Sequence, residues 1–189
     1  GVGSSPSSRG LRKGVVVNIE STVESIKKAV EEAELMAAVQ INSVYIGIAG
    51  GSISTETSTG VVALKRNEVM RADVLRAIET ARAAAVVSSD RHVLHVLPRE
   101  FIVDDQEGIR EPVGMSGSRL EVDVHIVTGA VTSARNLVKC VNQAGLDVRD
   151  IVLQPLASSE AVLSEEEREL GIAMVDLGGG TSDLAIFYQ

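Results

Sequence analysis

The chain has 189 residues, 44% apolar and 23% charged, which are globular proportions and exclude disorder as the default state. A net charge of −8 and an aromatic content of 2% argue against nucleic-acid binding, which needs a basic surface and stacking platforms. One cysteine, Cys140, excludes an internal disulfide; no apolar run nears the roughly 18 residues that cross a bilayer and no signal peptide is visible, so a soluble, cytosolic segment is expected.

In chain order, residues 1–14 are rich in Ser and Gly, carry Pro6, and read as a surface loop whose preceding strands are missing. A strand follows at 15–17. Ser21 and Glu24 have capping-box spacing and are expected to open a helix running to about Val39, with Val23, Ile26, Val30, Ala33 and Ala37 as its apolar stripe. Val44, Ile46 and Ile48 alternate as a strand; residues 50–59 read as a polar loop and 61–64 as a short second strand. A helix is expected over 67–87. Residues 92–103 read as a strand that Pro98 confines to an edge or a bulge, and 104–117 as loop.

The clearest strand sets Leu120, Val122, Val124 and Ile126 against Arg119, Glu121, Asp123 and His125, one face buried and one solvated. A compact α+β unit is therefore expected between about Asn42 and Gly129. Beyond it the pattern is α/β: a helix stopped by Gly145, a strand over 148–153, a short helix over 155–163, an acidic connection over 164–170, and two apolar runs flanking a glycine triplet.

That triplet carries the chemistry. Asp176-Leu177-Gly178-Gly179-Gly180-Thr181-Ser182-Asp183 lies between two strand candidates and is expected to form a hairpin tip. Three glycines admit positive φ and put no Cβ between backbone and ligand, so their N–H groups can converge on phosphate oxygens. Thr181 adds a hydroxyl, and Asp176 can meet a magnesium ion through its retained waters. Such a clamp works by geometry and not by net positive charge, which suits an acidic chain. A plain hairpin turn would use the same residue types, but the flanking strands and two aspartates at fixed offsets favour the clamp.

Other signals are weaker. No Gly-x-x-x-x-Gly-Lys-Ser/Thr loop and no Gly-x-Gly-x-x-Gly before a helix is present. His92 and His95 fall on opposite strand faces with no third ligand, His125 lies on a solvated face, and Cys140 reads as a packed thiol. Glu165, Glu166 and Glu167 read as a solvated loop, and no Ser–His–Asp arrangement follows from spacing.

The stretch from Asp176 to Asp183 resembles the second phosphate loop of the actin, Hsp70 and sugar-kinase superfamily. Three further stretches are similar to the FtsA family of bacterial cell-division proteins: Gly10-Leu11-Arg12-Lys13-Gly14-Val15-Val16-Val17 with Ile19-Glu20-Ser21-Thr22; Gly114-Met115-Ser116-Gly117-Ser118-Arg119-Leu120-Glu121; and Gln154-Pro155-Leu156-Ala157-Ser158. The resemblance implies an α/β actin-like, ribonuclease H-like fold with an inserted SHS2-like α+β subdomain. Residues 1–41 and 130–170 would form part of subdomain 1A, 42–129 subdomain 1C, and 171–189 the start of subdomain 2A.

It implies ATP and magnesium as cofactors: Gly178, Gly179, Gly180 and Thr181 hold phosphates, Asp183 contributes to the loop or only fixes the hairpin, and Asp176 organises magnesium. Gln154 matches the position that orients attacking water, or else simply caps the helix at Pro155. It further implies filaments, FtsZ and inner-membrane attachment through regions absent here, and recruitment of later division proteins through 42–129. The alternatives are a PilM-like pilus-assembly protein and a sugar or acetate kinase-like phosphotransferase. With the first phosphate hairpin, the adenosine-binding part and the C-terminal amphipathic helix expected outside these residues, no measurable ATPase activity is expected of the 189 residues alone.

Overall fold

The computed structural model describes residues 1–4 and 8–188, so the reading at Pro6 and the last position, Gln189, lie outside the described residues. Two units emerge: residues 1–53 with 130–189, and residues 54–129.

In the first unit, β1 (Leu11–Arg12) and β2 (Val15–Val16) pair antiparallel around a turn in which Lys13 (φ 49°) and Gly14 (φ 76°) are left-handed. Residues 11–14, expected as loop, are thus half of a hairpin. Helix α1 (Ile19–Ala37) follows. Its N-cap is Asn18, whose Oδ1 accepts the Ser21 N–H at 2.9 Å, so the helix begins three residues before the capping box expected at Ser21 and Glu24. The hairpin explains the shift. Gly10 O accepts the N–H groups of Val17 (2.7 Å) and Asn18 (3.1 Å), pinning the chain just before Asn18 and leaving its side chain to catch the first turn.

Strand β3 (Ser43–Ile48) pairs in parallel with β8 (Asp147–Leu153). Parallel pairing needs a long crossover, and here residues 54–129 lie within it. Residues 42–53 therefore belong to the first unit, and the insert begins later than the expected Asn42. Ile46, Val141 and Leu146 are the buried centre, flanked by Ile26 and Val30 of α1 and by Leu137 and Val138 of α3 (Val131–Gln143). Gly145, left-handed at φ 94° just past the C-cap Ala144, stops helix α3 as expected. Then come α4 (Gln154–Val162) and α5 (Glu165–Leu170), and last the antiparallel pair β9 (Ile172–Leu177) and β10 (Ser182–Phe187). Residues 165–170, expected as an acidic connection, are helical. Ser164 Oγ accepts from Glu167 N–H while Glu167 accepts from Ser164 N–H, and three acids in the first turn meet the positive helix end.

The second unit is a four-stranded sheet in the order β4 (Ile53–Ala63), β7 (Arg119–Ala130), β5 (Arg91–Val103), β6 (Gln106–Ile109), with helix α2 (Arg71–Ala84). Strand β4 (Ile53–Ala63) runs through most of the expected loop 50–59 and absorbs the short strand at 61–64. Strand β5 (Arg91–Val103) accommodates Pro98 because β6 (Gln106–Ile109) reaches only Phe101 and Val103. That β6 lies inside the expected loop 104–117. Helix α2 is shorter than the expected 67–87; Asn67 is left-handed (φ 51°) and Glu68 bridges to Ser116. Strand β7 (Arg119–Ala130) behaves as its alternation predicts: Leu120, Val122, Val124 and Ile126 are wholly buried, packed with Ala77 and Ala81 of α2. No helix among the described residues is long and apolar enough to cross a membrane.

Candidate nucleotide-binding loop

The β9–β10 register pairs Leu177 with Ser182 and Asp176 with Asp183, so Gly178–Thr181 form the connecting loop of the hairpin. Gly178 N–H donates to Thr181 O at 2.9 Å and closes the turn. Gly178, Gly179 and Gly180 are all exposed, and a Cβ on Gly179 would meet nothing within 4 Å. The amides of Gly179 and Gly180 make no hydrogen bond among the described residues.

Two other turns of the same unit meet this loop. A Cβ on Gly180 would lie 3.7 Å from Lys13 N, at the β1–β2 turn. Gly50, left-handed at φ 78°, opens a one-turn 3-10 helix, and its Cβ would lie 3.1 Å from Thr181 Cγ2 and 3.3 Å from Lys13 O. Close backbone approach with positive φ admits only glycine comfortably there.

Asp176 and Asp183 face each other across the hairpin, and each is held by a different neighbour. Asp183 Oδ1 accepts the Gly50 N–H at 3.0 Å, tying the hairpin to the turn after β3. Asp176 Oδ2 accepts from Gln154 Nε2 and Ser158 Oγ, each at 3.2 Å. Residues 154 and 158 stand one turn apart on the same face of α4, so a single helix presents both donors. Gln154 does not cap that helix: the N-cap is Leu153, without a side-chain cap, and the amide is spent on Asp176. Asp176 Oδ1 has no partner among the described residues.

This donor set fits one side of a magnesium–nucleotide site. Glycine amides offer hydrogens to phosphate oxygens, and a half-free carboxylate suits the water shell of magnesium. No group of three or more His, Cys, Asp or Glu that could hold a metal exists among the described residues, so any magnesium here would keep waters and phosphate as ligands.

The other sequence candidates disperse. His92 is exposed and His125 half-buried on the outer face of β7. Cys140 is wholly buried, and burial pushes its thiol pKa up, the opposite of an activated nucleophile. Residue pattern assigns no site role to Ser158 or Gly50. Ser158 carries two signals, its place at the end of the family-like stretch that Gln154 opens and its i,i+4 spacing from Gln154; Gly50 carries none, since its partner is 133 residues away.

Residues 50–128 match the family profile described as "SHS2 domain inserted in FTSA". Over 189 residues, all of this chain, it is 53% identical to the cell division protein FtsA of Pseudomonas aeruginosa. It is 50% identical to FtsA of Neisseria meningitidis and 46% identical to FtsA of Escherichia coli, each across 99% of its length. The chain spans 44–45% of the length of these curated relatives. Among solved structures, the PilM-PilN type IV pilus biogenesis complex aligns with 97% of this chain and 48% of its own, at a TM-score of 0.61 and 16% identity. That likeness carries the actin-like α/β fold and nothing about role. With an SHS2-type unit lying between the two sequence halves of that fold, and about half of all positions identical from end to end, the chain belongs to the FtsA family of cell division proteins.

Proposed function

We propose that this chain is the part of a nucleotide-dependent, filament-forming division protein that carries one phosphate-binding loop and the inserted partner-binding subdomain. The observation that carries the reading is the exposed glycine loop bordered by Asp176, one of whose carboxylate oxygens is anchored and the other, among the described residues, left open. When bound, magnesium and ATP supply a ligand that favours the assembly-competent conformation over the other. Gly179, Gly180 and Thr181 would hold phosphate oxygens, Gly178 would shape the turn, Asp183 would brace it, and Asp176 would order magnesium-bound water. Gln154 would keep Asp176 in place and stand near the attacking water.

In this reading residues 1–53 and 130–170 correspond to subdomain 1A, residues 54–129 to 1C, and the β9–β10 hairpin to the opening of 2A. The protein joins the FtsZ ring to the inner membrane at the division site, and 1C meets filament neighbours and later division proteins. The pilus-assembly alternative rests on a 16% identical fold match, against about half-identity to FtsA sequences. Calorimetric titration of the complete gene product carrying this chain, with ATP and magnesium, tests the site. Binding is expected, with Gly179→Val weakening it at least about tenfold by placing a branched side chain where phosphate would lie. Unchanged affinity in that variant sinks the proposal. The 189 residues alone, offering one side of the cleft, are expected to show neither micromolar binding nor ATPase activity.

A further inference from the structure

Asp176 is held twice on one oxygen, and both donors come from α4. A single hydrogen bond would leave the carboxylate free to swing about its χ angles. Two convergent donors, each strengthened by the negative charge they meet, select one rotamer and reserve the second oxygen. Gln154 has a long side chain with several rotamers; Ser158 has a short one, so its hydroxyl can reach Asp176 only while helix and hairpin keep their present spacing.

The neighbouring serine makes the contrast. Ser159 is 1% exposed and donates from Oγ to Leu156 O at 2.8 Å, inside its own helix. It serves packing of α4, as does buried Pro155. Ser158 is only half-buried, and the one side-chain hydrogen bond it makes among the described residues leaves the helix for the hairpin. Helix integrity does not require it.

We propose that Ser158 is a positioning residue for magnesium at this site, acting through Asp176. The proposal rests on the nucleotide-binding reading above. By anchoring Oδ2 together with Gln154, Ser158 leaves Oδ1 as the oxygen that receives hydrogen bonds from magnesium-bound water. Loss of its hydroxyl should therefore weaken the metal's contribution to nucleotide binding and leave metal-free binding alone.

The test uses the complete gene product, with ATP titrated calorimetrically over a series of free magnesium concentrations and again in EDTA. Ser158→Ala is expected to raise the magnesium concentration for half-maximal enhancement by about tenfold, the lower end of what losing an outer-sphere partner does to metal affinity. Affinity in EDTA should match wild type. Ser158→Thr, which keeps the hydroxyl, should restore most of the magnesium response, and Ser159→Ala should lower thermal stability without moving it. An unchanged magnesium midpoint in Ser158→Ala overturns the proposal. So does an equal loss with and without magnesium, or the same midpoint shift in Ser159→Ala. Wild-type binding that ignores magnesium, or no binding at all, overturns the reading of the loop itself, and that failure is visible before any variant is made.

Discussion

At the scale of single residues, one unusual backbone conformation is held by the residue's own acidic side chain. Asp104 sits at φ 52° and gathers Ser118 Oγ (2.8 Å), Ser118 N–H (3.0 Å) and Arg119 N–H (3.0 Å) on Oδ1. These bonds, that to the Ser118 hydroxyl foremost, hold its pKa below the usual carboxylate value, with Arg119 adding a smaller charge effect. A depressed folded-state pKa contributes stability that is complete above the ordinary carboxylate value and disappears as pH falls through the lower one. Asp104→Asn is a clean probe because Asn tolerates the left-handed region. Urea midpoints measured from pH 5 to pH 2, roughly the window the usual carboxylate value sets, should fall less steeply in this variant than in wild type; parallel curves would refute the assignment.

Asn18 belongs to the same scale. Its side chain is the cap of α1, so Asn18→Ala is expected to destabilise the first unit by about 1 kcal/mol, read by urea denaturation. Ser21→Ala should be near neutral, because Ser21 contributes its backbone N–H and not its hydroxyl to that cap. The residue types alone could not decide between the two, since both are good N-caps. The hydrogen bonds of Gly10 O to Val17 and Asn18 decided it.

At the scale of elements, the informative cases are those where polarity and secondary structure disagree. Ser54, Thr55, Thr57, Ser58 and Thr59 look like loop, yet they lie in β4, which borders β7 in the sheet. Thr is β-branched and suits a pleated surface, but a strand that is polar on both faces shows no alternation to detect. Strand β7 is the opposite case: each residue's own polarity announces its face. Further along β4, Gly60 lies against α2. A Cβ there would come within 2.1 Å of Ala77 O and 2.5 Å of Ala81 N, both backbone atoms. Gly60→Ala must push the helix off the strand, at an expected loss of about 1–3 kcal/mol in denaturant unfolding of residues 54–129. A variant as stable as wild type would mean that helix and strand do not touch there.

At the scale of the whole molecule, each unit has its own buried cluster, and residues 54–129 begin and end side by side. Thr128 Oγ1 donates to Ser54 O at 3.2 Å, and Arg91 clamps Thr128 through Nε to Oγ1 (2.8 Å) and Nη2 to the carbonyl (3.0 Å). Adjacent ends are what lets a folded unit sit within another chain segment without distorting it. Residues 54–129 expressed alone are therefore expected to unfold cooperatively, with Arg91→Ala lowering the midpoint. A non-cooperative transition in the isolated unit would contradict that independence.

The division of labour between sequence and tertiary structure follows from range. Side-chain polarity and φ preference act within a few residues, so residue order suffices for the β7 alternation, the Gly145 stop, the glycine hairpin and, through recurring motifs, the family. Tertiary structure alone decided that β3 joins β8 and not the insert, that Asn18 caps α1, and that Gln154 and Ser158 meet Asp176. Those pairings join residues separated along the chain, or choose between equally suitable local partners, and only packing of the finished fold supplies that information.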